Sequence, residues 1–159
     1  MPIYRIVRTL SPLERGYIAG LVDGEGTVTL SRKHANELRH LVISISNTET
    51  DLLEYARSTI GCGKITKKKT AKANHSQSMT YAVSNRQALA LLAQIEPHLR
   101  SYKRFRARLV LEHYVRLTPR NGKYTAELRA RRAVFEETLL RIRPAAHGGA
   151  AGRASSAVL

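Results

Sequence analysis

Asp23, Gly24 and Glu25 close a ten-residue stretch, YIAGLVDGEG, that runs from Tyr17 to Gly26. Two carboxylates one residue apart, set among glycines, are oxygen donors of the kind a hard divalent cation takes. Such a cation can activate water against a phosphodiester and stabilise the leaving oxygen. Both carboxylates fall at the C-terminal end of a helix, where the macrodipole is already negative and further negative charge is disfavoured. A bound cation would relieve that repulsion, so the stretch reads as a metal site.

The helix that must carry these groups starts with a capping box, Ser11-Pro12-Leu13-Glu14, and the spacing predicts a helix over Pro12 to about Asp23. Gly16 and Gly20 lie four apart inside it with Ala19 beside them. Each interior glycine costs about 1 kcal/mol against alanine, and close approach of a second backbone is the usual compensation.

At these residues the sequence resembles the LAGLIDADG homing endonucleases, with Ile18-Ala19-Gly20-Leu21-Val22-Asp23-Gly24-Glu25-Gly26 standing on the family's nine-residue motif. In that family two such helices pack through their small residues, which makes Gly16, Ala19 and Gly20 the expected dimer interface. The last acidic residue of each motif holds a divalent cation at the scissile phosphate. That role falls here on Glu25, helped by the Gly24 carbonyl, with Asp23 the better candidate for a structural group. Mg²⁺ is the expected ion, Mn²⁺ a substitute, and Ca²⁺ is expected to bind without supporting cleavage. The resemblance also implies that Asn47 orders waters near the metal and that Lys103 lies near the catalytic water and phosphate. Glu stands where many members have Asp, and Glu49 and Asp51 occupy the neighbourhood where some members place an arginine.

The rest of the chain supplies the elements. Met1 to Leu10 reads as an extended arm with Arg5 and Arg8 available for phosphate. Thr27 to Lys33 alternates with a period of two, placing Val28 and Leu30 inward and Thr27, Thr29, Ser31 and Lys33 outward. Leu41 to Asn47 is a second strand, with Leu41, Ile43 and Ile45 inward and His40, Val42, Ser44 and Ser46 outward or at its edge. Asn47 or Thr48 caps a helix from Thr50 to about Ile60, stopped by Gly61-Cys62-Gly63. Strands over Lys64 to Lys69 and Met79 to Ser84 follow, joined by a polar loop. They turn Ile65, Met79, Tyr81 and Val83 inward and Lys64, Thr66, Lys68, Thr80 and Ala82 outward. A ribbon presenting lysines and hydroxyls can contact phosphates and read base edges in the major groove; the same pattern also suits a charged hairpin kept soluble by its lysines.

Ser84-Asn85-Arg86-Gln87 reads as a second capping box, opening a helix that ends before Pro97. A long basic helix is predicted over Leu99 to Leu117, with Tyr102, Phe105, Leu109 and Val110 as its apolar stripe. A last helix runs from about Thr125 to Ile142 with Leu128, Phe135, Leu139 and Ile142 on one face. The fold class is therefore α+β, αββαββα with additional C-terminal helices, an order similar to the single-motif LAGLIDADG domain. The domain is bounded at residues 11–143, and residues 144–159, rich in alanine, glycine and serine, read as a disordered tail.

Composition narrows the partners. At 159 residues the chain suits one domain with a real core. The net charge of +15 is uneven: residues 1–60 hold seven basic and seven acidic groups, and residues 61–159 hold twenty and five. A surplus of that size favours a polyanion. The lone Cys62 excludes a disulfide framework, and the six histidines show no zinc-finger spacing. With no signal peptide or long apolar run the protein is expected to be intracellular, with no membrane partner.

A single motif copy supplies one acidic site, and cutting two strands needs two. The resemblance thus implies a homodimer reading a palindromic or near-palindromic double-stranded DNA target. An RNA-binding intron maturase and a catalytically decayed DNA-binding regulator of the same fold are the rival functions.

Overall fold

The first helix, α1, spans Pro12–Glu25 and opens on the capping box, the Glu14 N–H reaching the Ser11 hydroxyl (3.2 Å) and the Ser11 N–H the Glu14 carboxylate (2.8 Å). It runs two residues further than the sequence pattern indicates. The Gly26 N–H bonds back to the Val22 carbonyl, so Glu25 completes the last turn. A Cβ at position 26 would lie 2.7 Å from the Val22 Cα and 3.0 Å from the Ser44 carbonyl oxygen. Glycine there lets the helix pass straight into a strand without clearance.

A computed structural model describes residues 3–69 and 76–146. After α1 come β1 (Gly26–Ser31), β2 (His40–Asn47), α2 (Thr50–Ile60), β3 (Lys64–Lys67), β4 (Met79–Ser84) and α3 (Asn85–Ile95). A single 3₁₀ turn at Glu96–His98 leads to α4 (Lys103–His113), and α5 (Ala126–Arg141) follows. The four strands form one antiparallel sheet in the order β1-β2-β4-β3. The expected α+β class and element order hold. Val28, Leu30, Leu41, Ile43, Ile45, Tyr81 and Val83 point from one sheet face into a core shared with Ile18, Val22, Leu53, Leu91, Val110 and Phe135.

Several boundaries differ. β1 ends at Ser31, whose rung with His40 is the last; Lys33 lies in the following bend rather than on a strand. β3 ends at Lys67, so Lys68 is past the strand, although its N–H still reaches the Ser78 carbonyl (2.9 Å). Residues 70–75 of the expected polar loop and residues 147–159 of the expected tail lie outside the described residues. The second capping box does not form, because Ser84 is paired with Val42 as a strand residue and its hydroxyl makes no cap bond. Glu49, not Asn47 or Thr48, occupies the N-cap of α2; Asn47 instead accepts the Glu49 N–H on its side-chain oxygen (2.8 Å).

The long basic helix is shorter and rotated relative to the expected stripe. Its buried side is Lys103, Arg106, Ala107 and Val110, continuing to Tyr114 and Leu117, while Phe105 is exposed. Two cations on the core side displaced the apolar reading. Each is satisfied by backbone: Arg106 donates to the carbonyls of Val28 (2.9 Å) and Ile142 (2.8 Å), and burial holds its pKa below the ordinary arginine value.

Arg132 on α5 is the deepest such case, 1% exposed. It donates to the carbonyls of Arg39 (2.6 Å) and Leu117 (3.1 Å) and to the Thr118 hydroxyl, with its guanidinium 4.8 Å from the centre of the Tyr114 ring. Glu136, beside it, accepts the Arg39 N–H (2.8 Å). One helix thus holds both polar groups of the residue that enters β2. Arg132→Met removes the cation and orphans buried carbonyls, which is expected to destabilise the fold by about 3 kcal/mol, a fall in Tm of roughly 10 °C. Thermal unfolding followed by circular dichroism checks it; a Tm unchanged within 2–3 °C (~1 kcal/mol) would mean that the Arg132 hydrogen bonds do not hold the fold together.

Candidate metal and nucleic-acid site

Glu25 is the last residue of α1, exposed to solvent and absent from the ion pairs among the described residues. Gly24 beside it is exposed as well. Among those residues no three His, Cys, Asp or Glu side chains converge as a cage. A cation at this point would therefore be held by the Glu25 carboxylate together with backbone, water or phosphate oxygens, a donor set that suits Mg²⁺.

Asp23 is committed elsewhere. Its carboxylate accepts the Arg100 N–H (2.7 Å), the Ser101 N–H (3.2 Å) and the Ser101 hydroxyl (2.6 Å), and so ties the end of α1 to the approach to α4. Partial burial works to raise its pKa. The Ser101 hydroxyl, the two N–H groups and the Lys103 charge outweigh that and hold it below the usual carboxylate value. Ser101 was not visible in the sequence as a partner, since nothing local links it to a residue 78 positions earlier.

Lys103 lies beneath the same helix end. It is buried, and its ammonium donates to the Val22 and Asp23 carbonyls, both at 2.8 Å. Two of its three donors thus reach carbonyls at the negative pole of α1, that of Val22 also accepting the Gly26 N–H. Burial lowers its pKa below the ordinary lysine value, and Arg106 adds to that, while Asp23 and Glu25 pull in the other direction. Two of the ammonium's hydrogen bonds are thereby committed to the end of the helix that Glu25 closes. Asn47 ends β2, two residues beyond Ile45, which pairs with Gly26; this places it at the sheet end where α1 terminates.

The opposite face of the sheet is laid out in ranks. Thr27, Ser44, Ala82 and Lys64 form one line across all four strands; Ser46, Thr80 and Thr66 form the next. Thr29, Val42 and Ser84 make a third, with Ser31 and His40 beyond. Ser46 and Thr80 share a hydroxyl hydrogen bond of 2.8 Å. The expected outward set is therefore on one face, except that Lys33 and Lys68 flank it from outside the strands. None of the ranked residues is acidic.

On α1 the exposed line is Leu13, Gly16, Tyr17, Gly20 and Gly24, with open space around each of the three glycines. Ala19 does not belong to it. It is fully buried in the chain's own core, on the side of the helix facing the sheet, and is removed from the expected dimer interface. Arg8 is likewise not free for phosphate: its guanidinium donates to the Ser58 carbonyl (3.2 Å) and its N–H to the Ile60 carbonyl (2.9 Å).

A four-stranded antiparallel sheet with helices on one face and an exposed acidic helix end at its edge defines the α+β class seen in homing endonucleases. The chain belongs to the LAGLIDADG endonuclease family, whose model matches residues 18–117, more than half of its length. Among solved structures it is similar to the homing endonuclease I-CvuI in complex with its target in the presence of Ca (18% identity, 84% of each chain, TM-score 0.66). It is also similar to the archaeal intron-encoded homing endonuclease I-Vdi141I complexed with DNA (20% identity, 84% of this chain and 86% of that one, TM-score 0.62). The LAGLIDADG meganuclease I-AabMI bound to uncleaved DNA matches over 77% of this chain and 43% of its own, with 20% identity and a TM-score of 0.58. Comparison with curated protein sequences finds no match.

Proposed function

We propose that the protein is a homodimeric, Mg²⁺-dependent homing endonuclease that makes a site-specific double-strand cut in DNA at a long palindromic or near-palindromic target, and that it is encoded within an intron or intein. The observation that carries this reading is the Glu25 carboxylate, exposed and unpaired among the described residues, at the end of a helix whose outer side is lined with glycine. Binding a polyanion alone does not require an exposed, unpaired carboxylate at Glu25 in a chain of net charge +15, which favours the nuclease over a maturase or a regulator.

The chain's own residues divide the work. The outward sheet face supplies hydroxyls, His40 and Lys64 for hydrogen bonding and the methyls of Val42 and Ala82 for thymine contact. Lys103 and Asp23 fix the end of α1, so that Glu25 and the Gly24 carbonyl are presented at a set place. Asn47, with its side-chain amide N–H₂ not engaged among the described residues, can orient water at that place. A divalent cation bound there supplies charge stabilisation at the phosphate and acidifies a coordinated water. The DNA geometry follows from two copies related by a two-fold axis, each bringing one Glu25 to one strand.

The test is a plasmid carrying the uninterrupted insertion site, incubated with purified protein. Linear product in Mg²⁺ or Mn²⁺, none in Ca²⁺ or chelator, is the expected result. Tight binding without cutting in any of these ions would turn the assignment to the regulator, and preferential binding of the intron RNA would turn it to the maturase.

A further inference from the structure

The N-terminal residues do not trail away from the body. The Leu10 N–H reaches the Gln94 side-chain oxygen (2.8 Å), and the Gln94 amide N–H₂ returns to the Arg8 carbonyl (2.9 Å). Arg8 bonds to the end of α2, where Gly61 has φ 87° and a Cβ would come 2.7 Å from the Arg8 Cγ. Further out, the Gln87 amide N–H₂ donates to the Arg5 carbonyl (2.5 Å). An extended segment with no strand partner among the described residues is thus pinned at three residues, Arg5, Arg8 and Leu10, by side chains and backbone of α2 and α3.

What this pinning presents is an edge of the outward sheet face. Ile3, Tyr4 and Arg5 line an open groove together with His40, Lys64 and Ala82 of the sheet. Arg5, His40 and Lys64 are the basic groups lining it, and among the described residues no carboxylate does. Ile3 and Tyr4 are 89% and 67% exposed. Holding apolar side chains in water beside a cationic, carboxylate-free groove gives the folded chain nothing by itself.

We propose that residues 3–5 are a DNA-contacting strap: Arg5 pairs with a backbone phosphate, and Tyr4 with Ile3 packs against the sugar edge of a duplex lying across β4 and β3. The proposal rests on the reading of the sheet as the DNA face, with which the groove is continuous. Phosphate and deoxyribose, not base edges, match an arginine flanked by an aromatic and an aliphatic side chain. The strap therefore adds affinity and salt dependence outside the base-reading ranks, and Gln87 is the group that sets its position.

Three variants of the full-length protein test it on the target duplex: Arg5→Gln, Tyr4→Ser and Gln87→Met. Arg5→Gln is expected to flatten the slope of log K against log salt by roughly 0.9 per strap, close to two for a dimer, with base preference unchanged. Tyr4→Ser is expected to weaken binding about tenfold and to open the flank of each half-site to hydroxyl-radical cleavage. Gln87→Met reproduces the lost flank protection although Arg5 is intact. Since Tyr4 and Arg5 are exposed, their thermal unfolding stays that of the parent, which separates lost contact from lost fold. Sequence-specific binding with slope and footprint unchanged by Arg5→Gln and Tyr4→Ser overturns the strap alone. Absence of duplex binding by the parent protein at every salt concentration overturns the sheet reading and the strap together.

Discussion

Glu25→Gln is expected to leave the protein folded and bound to its DNA while lowering the cleavage rate by roughly a thousandfold or more, about 4 kcal/mol of lost transition-state stabilisation. The substitution keeps the side chain's length and removes its charge. The fold depends little on that charge, since Glu25 is exposed, makes no ion pair among the described residues, and is the weakest of the influences on Lys103. At the negative end of α1 the neutral side chain is, if anything, more comfortable, by about 0.3–1 kcal/mol. Binding at moderate salt should therefore hold or strengthen, because one negative charge per copy leaves the surface that meets phosphate. Single-turnover cleavage with excess protein, alongside a gel-shift titration, reads both quantities. Unaltered cleavage in Mg²⁺ would remove Glu25 from the metal site; a rate loss matched by an equal loss of binding would make its role positional.

Much of this arrangement was legible in the sequence, for physical reasons that particular residues illustrate. Period-two alternation fixed which side of each strand is buried, and Val28, Leu30, Leu41, Ile43 and Ile45 all obey it. Ser11 and Glu14 announced the start of α1 because a capping box is a contact between near neighbours. The C-terminal helices were harder. A pattern of apolar residues assumes that the buried side is apolar, and α4 buries Lys103 and Arg106 while α5 buries Arg132. Their guanidinium and ammonium groups are satisfied by carbonyls of Val22, Asp23, Val28 and Arg39, which are distant in the chain. No local signal names those acceptors. Ser84 failed as a cap for a related reason: strand pairing with Val42 claimed its backbone first. At the candidate site, the motif drew attention to Glu25 and Gly24, whereas the anchoring of Asp23 on Ser101 and the burial of Lys103 against the Val22 and Asp23 carbonyls emerge only when α1 and α4 pack together.

Placing Leu at position 20 separates the stability of one chain from the pairing of two. Gly20 is interior to α1 and exposed, and a Cβ there would have no neighbour within 4 Å beyond the adjacent helix backbone, so a larger side chain starts out toward open space. Helix propensity alone then favours the variant by roughly 0.5–1 kcal/mol, and Tm should hold or rise. In a two-fold pair the same residue appears on both sides of the contact, and Gly16, Gly20 and Gly24 form the narrow line along which two helices could approach. Forcing side chains into such an approach costs about 1–3 kcal/mol per site, counted twice by symmetry, which weakens pairing by roughly 30-fold to 10⁴-fold. Gly20→Leu is therefore expected to sediment as a monomer at micromolar concentration and to lose double-strand cleavage while melting no lower than the parent. Leu placed instead at Gly122, in the turn before α5 where φ is 67°, has the opposite signature, with lower stability and intact pairing. A Gly20→Leu protein that still pairs and still cuts both strands would mean that the two Glu25 carboxylates are brought together by some surface other than this helix, since Gly20 and Gly24, one turn apart, lie on the same exposed side of α1.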